Sequence, residues 1–456
     1  MSKAFRPYTP EQSELLPPSP REWLPEGHMA YFILDTVKEL NLKPLLARYE
    51  RELRGYPPHH PQMLVGLLLY GYCVGVASSR RIEKKTYEDV AFRVIAAGQH
   101  PDHSTISEFR RRHLEELGGL FVQVLALCQK AGLVKLGHVA LDGTKMKANA
   151  SKHKAMSYER MQQREQELAQ KVAQLLKAAE EVDAAEDRLY GNKKRGDELP
   201  QELQRAETRL AKIRAAKAEL EAEARAARAQ LEADKKKKEQ DPNEPPSGPT
   251  PLPRHQVATD EKGQPKPGAQ RNFTDPESRI QKTQSGFIQG FNAQAAVDEA
   301  HQVIVAQALT NQSPDVEHLL PMVEQMVSNC SGPPAVMTAD AGYFSEANLV
   351  GASCLGVEAY LATGRQKHGE EPPPVRGRMP RGLSLKQWMA RRLRTKKGRA
   401  VYARRKAVVE PVFGQIKQVR GFRQLLLRGL QKARGEWALI CLTHNLLKLY
   451  KAQAAA

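Results

Sequence analysis

The strongest constraint on this fold is a pair of heptad-patterned blocks set inside a chain whose flanks read differently. From Ser157 to Tyr190, Met161, Leu168, Leu175, Val182 and Leu189 recur every seven residues. From Leu199, the positions Leu203, Ala206, Leu210, Ile213, Leu220, Ala224, Ala227 and Leu231 alternate by three and four, in sequence otherwise dense in Glu, Gln, Lys and Ala. Such spacing keeps an apolar seam on one side of a helix and requires a second helix to cover it. The interruption from Tyr190 to Pro200 holds two glycines and a proline, so the simplest structure is two antiparallel helices joined by a turn. Arms of ~30 to 40 residues, at ~1.5 Å per residue, would project about 50 Å. Whatever else the chain builds must be assembled from segments on either side of this excursion.

Those segments alternate strands with helices. Before the hairpin stands the apolar run Val139-Ala140-Leu141. After it, Lys235 to about Pro267 carries a lysine run and many prolines, the composition of a disordered or loose connector. Gly286 to Asp298 and Gln302 to Leu309 read as two strands tightly joined at Glu299-Ala300-His301. A helix from Ser313-Pro314-Asp315 to Val327, a strand ending in Asp340, a helix from Ser345 and a strand around Val357 to Leu361 follow. Long helices then run from Leu385 to Val419 and from Leu430 to Lys451. The predicted class is α/β: an RNase H-like mixed sheet, an all-α N-terminal domain, and the helical hairpin inserted between the first and second strands. The predicted divisions are an extended Pro-rich arm (1–27), a helical domain (28–134), the mixed α/β domain (135–154 and 271–456), the coiled-coil insertion (155–240) and the connector (241–270).

In the helical domain the pattern predicts helices over Met29–Leu40, Lys43–Arg51, Pro61–Val76, Tyr87–Ala97 and Ser104–Cys128, with breaks at Tyr56-Pro57-Pro58 and Gly98-Gln99-His100-Pro101. The last helix opens with Ser/Thr capping residues and Glu108 in its first turn, followed by Arg110, Arg111 and Arg112. A capped helix carrying a basic cluster resembles the reading helix of a helix-turn-helix.

Charge names a partner class. Lys plus Arg exceeds Asp plus Glu by 70 − 52 = 18, an excess that points to a polyanion, with nucleic acid ahead of an acidic membrane. Five scattered cysteines form no CxxC pair and suggest reduced thiols of a cytosolic protein. The N-terminus shows no apolar signal core, and the run from Met63 to Ala77 is shorter than the ~20 residues a bilayer span needs. The basic stretch Arg391, Arg392, Arg394, Lys396 and Lys397 leads into the helix of Arg405, Glu410 and Lys417, and is assigned to phosphate contact.

Three acids stand in distinctive settings: Asp142 in Leu141-Asp142-Gly143-Thr144, Asp340 in Ala339-Asp340-Ala341-Gly342-Tyr343, and Glu410 in Val409-Glu410-Pro411-Val412-Phe413-Gly414. Two lie at the ends of apolar runs and the third in a basic helix. Carboxylates converging from two strands and a helix suit a Mg²⁺-dependent phosphoryl-transfer site, because this hard cation takes oxygen ligands and keeps positions open for phosphate. Asp298 and Asp315, in the same region, read instead as a turn residue and a helix first-turn residue.

Taken in order, these motifs resemble the bacterial insertion-sequence transposases of the DDE superfamily. The resemblance also draws on Asn272-Phe273-Thr274-Asp275-Pro276-Glu277-Ser278-Arg279 and Gln289-Gly290-Phe291-Asn292-Ala293-Gln294, and it spans nearly the whole chain. It implies that Asp142, Asp340 and Glu410 hold two Mg²⁺ ions, or Mn²⁺ in their place, one activating the nucleophile and the other the leaving 3′-oxygen. Related transposases carry a Tyr-Arg-Glu-Lys signature. Tyr402, Arg405, Glu410 and Lys417 match its first and last gaps, with one extra residue between Arg405 and Glu410, so Arg404 and Lys406 are alternatives to Arg405. The expected partners are double-stranded DNA, as terminal inverted repeats and target, and a second copy of the chain in the DNA complex. The expected setting is the bacterial cytoplasm at the nucleoid. The competing reading from another class is a non-catalytic DNA-binding or architectural protein, or a decayed transposase acting as a repressor.

Overall fold

The computed structural model describes residues 19–50, 58–190, 201–240, 249–283, 285–364 and 373–455. Helices lead: α1 (Met29–Glu39), α2 (Lys43–Glu50), α3 (Pro61–Cys73), α4 (Ser79–Glu88), α5 (Val90–Ile95), α6 (His103–Arg112) and α7 (Leu114–Lys130). The break expected at Tyr56-Pro57 falls outside the described residues. Two expected helices are each divided. Asp89 ends α4 and caps α5, its carboxylate accepting from the amides of Ala91 and Phe92. His113 separates α6 from α7. The cap of α6 is Asp102, which accepts from the amide of Thr105 at 2.9 Å; Glu108 lies beyond the first turn and pairs with Arg111 and Arg112.

The sheet is built from β1 (His138–Lys147), β4 (Arg279–Thr283), β5 (Gly286–Asp298), β6 (Ile304–Thr310), β7 (Val336–Ala339) and β8 (Glu358–Leu361). Between β1 and β4 come β2 (Ala155–Ser157), the hairpin helices α8 (Tyr158–Tyr190) and α9 (Gln201–Gln240), and β3 (Gln270–Asn272). α10 (Leu319–Cys330), α11 (Glu346–Cys354), α12 (Leu385–Leu393), α13 (Lys396–Gly414) and α14 (Leu430–Ala455) complete the chain. One edge of the long β5 pairs with β4 and then β6, and its other edge with β1; β7 and β8 follow, giving the order β6-β5-β1-β7-β8. β1 runs antiparallel to β5 and parallel to β7, and β7 parallel to β8. This mixed sheet with its helices is the RNase H-like architecture expected from the element order.

α13 packs on β1, β5, β7 and β8, and α14 lies against β6, α7 and α3. Buried Trp437 of α14 donates its indole N–H to the Gln294 carbonyl at 3.2 Å. One continuous buried cluster therefore runs from α1 through the sheet to α14, with no break at residue 134. The helix expected over Leu385–Val419 is divided where Thr395 caps α13, and it ends in a π-helical turn, Gln415–Val419.

The insertion forms the expected helix pair, its seam lined by buried Met161, Leu203, Leu210, Ile213, Leu220 and Ala224. The joining turn, 191–200, lies outside the described residues, as do the side chains of Val182 and Leu189. The β2–β3 ribbon closes the base. There Arg271, 7 % exposed, pairs with Glu219 and Glu223 of α9 at 2.6 and 2.7 Å. The described part of the expected connector is packed: Thr250 donates to Glu324 twice, His255 to Asn311, and Val257 is buried against Tyr158 and Leu220. No helix among the described residues is long and apolar enough to cross a membrane.

Candidate active site

β1 and β7 pair with Leu141 opposite Ala339, so the next residues, Asp142 and Asp340, emerge side by side. β7 stops there, while β1 continues along β5 to Lys147. Asp142 is thus mid-strand, a correction to the expected strand end: what ends at Asp142 is the parallel ladder. Ligands of open α/β sheets gather where parallel strands terminate and connections diverge.

Asp142 Oδ1 accepts from the Gly143 amide at 2.8 Å, and Oδ2 accepts from Arg405 Nη1 at 2.9 Å. Asp340 Oδ1 accepts from the Gly342 amide at 2.9 Å and caps the short turn Ala341–Tyr343. Burial raises the Asp142 carboxyl to about 6; Arg405 opposes that rise and the charge of Asp340 adds to it. One guanidinium does not offset the two carboxylates. A divalent cation with oxygen preference fits the surplus, and Asp142 and Asp340 are the residues that would hold it.

Glu410 stands apart. Arg405, Val408, Val409 and Val412 take the buried face of α13, which turns Glu410 to solvent. Among the described residues no three His, Cys, Asp or Glu side chains gather closely enough to hold a metal ion, so the expected three-acid convergence is absent from this arrangement. Next to Glu410, Pro411 cannot donate to the Ala407 carbonyl; Gln302 Nε2 does so instead, at 3.2 Å. The π-helical turn then directs Lys417 onto β1, where its Nζ donates to Thr144 Oγ1 and, at 3.0 Å, to the Lys145 carbonyl. Seven residues apart, two turns of a regular helix, Glu410 and Lys417 would face one way; across the π-helical turn one is exposed and the other half-buried.

Beneath the aspartates lies a network that sequence reasoning missed. Asp298 keeps its expected turn role, accepting from the amides of Lys135, Leu136 and Ala300. Asp315 does not behave as a helix-start residue. Its Oδ1 accepts from Asn292 Nδ2 at 2.7 Å and Gln294 Nε2 at 2.8 Å, with Lys145 Nζ at 3.7 Å. Gln294 in turn accepts from the buried Tyr343 hydroxyl. Gly143, directly after Asp142, and Gly342, directly after Ala341, leave the space this network fills. One signal was available: Asn292 and Gln294 are polar residues two apart within the stretch 291–297, apolar elsewhere, hence on one face and in need of a partner.

The basic residues divide by burial. Arg110, 4 % exposed, donates to the Tyr72 hydroxyl at 3.1 Å and the Ala77 carbonyl at 2.8 Å, so it supports α3 and does not face a ligand. Arg405 is likewise turned inward, to Asp142. Arg392 is held by Glu358 and lies over Tyr360 at 4.2 Å and Trp388 at 4.9 Å. Arg391 and Arg394 donate to the carbonyls of Arg376, Arg378 and Pro373. Arg111, Arg112, Lys396 and Lys397 are exposed; Glu108 engages the first two and Glu358 the last.

Two family models match the chain. The one described as "Transposase DDE domain" covers residues 252–446, and the one described as "Transposase domain (DUF772)" covers residues 18–112. Neither includes β1 with Asp142, which lies between β5 and β7, two strands of the first match. No curated protein and no solved structure matches the chain.

Proposed function

Because the chain belongs to the DDE transposases of insertion sequences, we propose that it binds the terminal inverted repeats of its element, cuts their ends and transfers the 3′-ends to target DNA. The observation that carries this reading is the side-by-side emergence of Asp142 and Asp340 from parallel strands. Bound Mg²⁺, as one or two ions, would supply the charge that activates a nucleophile and stabilises the leaving 3′-oxygen. The chain's own residues orient the reaction. Arg405 holds Asp142 in place, Lys417 offers a cation beside β1 for a DNA phosphate, and Glu410, which faces solvent on α13, joins the acidic set through a rearrangement that DNA binding brings about. The helical region of 28–134 supplies end recognition through the exposed Arg111 and Arg112, and Lys396 and Lys397, at the start of α13, contact DNA backbone. Pairing of two ends calls for a dimer in the DNA complex.

The test is strand cleavage of duplex carrying the element's ends, with Mg²⁺ and with chelator. Nicks at the repeat termini that require the metal are expected, with gel-shift binding retained in both conditions. The position of Glu410 apart from the aspartates favours a second reading, a DNA-binding protein without cleavage activity. Binding of the repeats with no nicking under any divalent ion would establish that alternative.

A further inference from the structure

Beyond the aspartates, β1 leads into a basic groove. Lys147, Lys152 and Lys154, all exposed, line it together with Arg428 from the segment before α14, and it encloses about 650 Å³. No Asp or Glu is among its lining residues. The groove is framed by hydrogen bonds between distant segments: Lys147 pairs with the backbone of Arg423 and Leu425, Asn149 Nδ2 donates to the Leu426 carbonyl at 2.8 Å, and Arg428 Nε to the Asn149 carbonyl at 3.0 Å. At its rim stands Phe287, 58 % exposed at the start of β5. A phenyl ring held in water beside an acid-free cationic groove is unused by the packing of the sheet.

We propose that this groove binds an unpaired strand of DNA, with its phosphates on Lys147, Lys152 and Lys154 and a base stacked on Phe287. Single-strand sites combine a positive track for the backbone with an aromatic face for the bases, and both are present here. The groove's volume of about 650 Å³ has room for a nucleotide, and only an unpaired base can turn its face onto Phe287. Position connects it to the acids, since Lys147 follows Asp142 by five residues on one strand, a path of about 17 Å at ~3.4 Å per residue. The source of the unpaired strand, a DNA end opened at the aspartates, rests on the transposase reading; the groove's preference for single strands does not.

The full chain is titrated by fluorescence anisotropy against a labelled oligothymidylate and a labelled blunt duplex, with cleavage of repeat-end DNA measured in parallel. Phe287→Ala is expected to weaken oligothymidylate binding roughly tenfold or more while leaving duplex binding unchanged, and Phe287→Trp to preserve both. Lys152→Ala with Lys154→Ala should lower the salt slope of oligothymidylate binding by ~0.7 for each phosphate that is no longer neutralised. Wild-type affinity of Phe287→Ala for oligothymidylate would overturn the proposal, even if cleavage were normal. Conversely, absence of cleavage together with a selective loss in Phe287→Ala would remove the catalytic reading and leave the groove's assignment standing.

Discussion

Gly143 has no room for a side chain: a Cβ there would lie 2.6 Å from Gln294 Nε2, 3.0 Å from Asp315 Oδ1 and 3.2 Å from the Tyr343 hydroxyl. Gly143→Ala should therefore displace the network under Asp142, lower the unfolding free energy by ~1 to 3 kcal/mol and reduce cleavage, which thermal denaturation and the nicking assay would register. Asp315→Ala removes one acceptor from each of the Asn292 and Gln294 amides, which keep the Gln312 carbonyl and Asn292 Oδ1, and should cost ~1 to 3 kcal/mol in all; a wild-type melting curve would show that the network adds nothing to stability. The aspartates themselves were legible because each closes an apolar run. Asp315 was not, since Ser313-Pro314-Asp315 before an apolar stretch is also how helices begin, and the partners that give it another role lie about twenty residues away on β5. Arg110 could have been read correctly. Three consecutive arginines spread over most of a helix's circumference, and Arg110 stands four residues after buried Ile106, on the inner face.

At the level of elements, the heptads announced α8 and α9 and the alternating runs announced β5 and β6, because both signals repeat locally. The splits at Asp89, His113 and Thr395 were hidden, since apolar periodicity continues across a cap whose hydrogen bonds involve only a residue or two. The hairpin's attachment was equally invisible: the acids that pair with Arg271 lie some fifty residues before it. That attachment limits how the arm can be trimmed. Shortening it beyond Lys171 and Glu202, which pair at 2.6 Å, should leave a folded chain. Glu219→Gln with Glu223→Gln strands a buried guanidinium and should cost on the order of 2 kcal/mol, less than the ~3 to 5 of a fully buried pair because both acids are partly exposed. Urea denaturation compares the variants, and equal stability of the double substitution would make the hairpin's base an incidental contact.

Across the whole molecule, the helical region, the sheet and the last helix share one core, and that core contains neutral histidines. Burial lowers His444 to about 3 and His318 to about 4. His444 sits against the Gln302 carbonyl at 2.9 Å, and His318 against the Thr310 hydroxyl at 2.7 Å. Both pKa values are depressed, so their contribution is present above the unfolded value of ~6.5 and is lost as pH falls toward the folded values, at ~1.4 kcal/mol per pH unit for each proton taken up by the unfolded chain. Stability should fall from pH 6.5 to 4, and His444→Gln should flatten that slope by about one proton; an unchanged slope would mean that His444 does not remain neutral. The same core brings Asp142, ahead of the hairpin, beside Asp340, nearly two hundred residues later, and carries α13 across them. The measurement that bears most directly on this arrangement is divalent-dependent cleavage of repeat-end DNA by Asp142→Asn, Asp340→Asn and Glu410→Gln, with Asp298→Asn as the comparison. Each of the first three should lose cleavage by orders of magnitude while still binding DNA without metal, and Asp298→Asn should cleave if its turn holds. Near-normal cleavage by Asp142→Asn or Asp340→Asn would contradict the assignment of the paired strand ends as the catalytic centre.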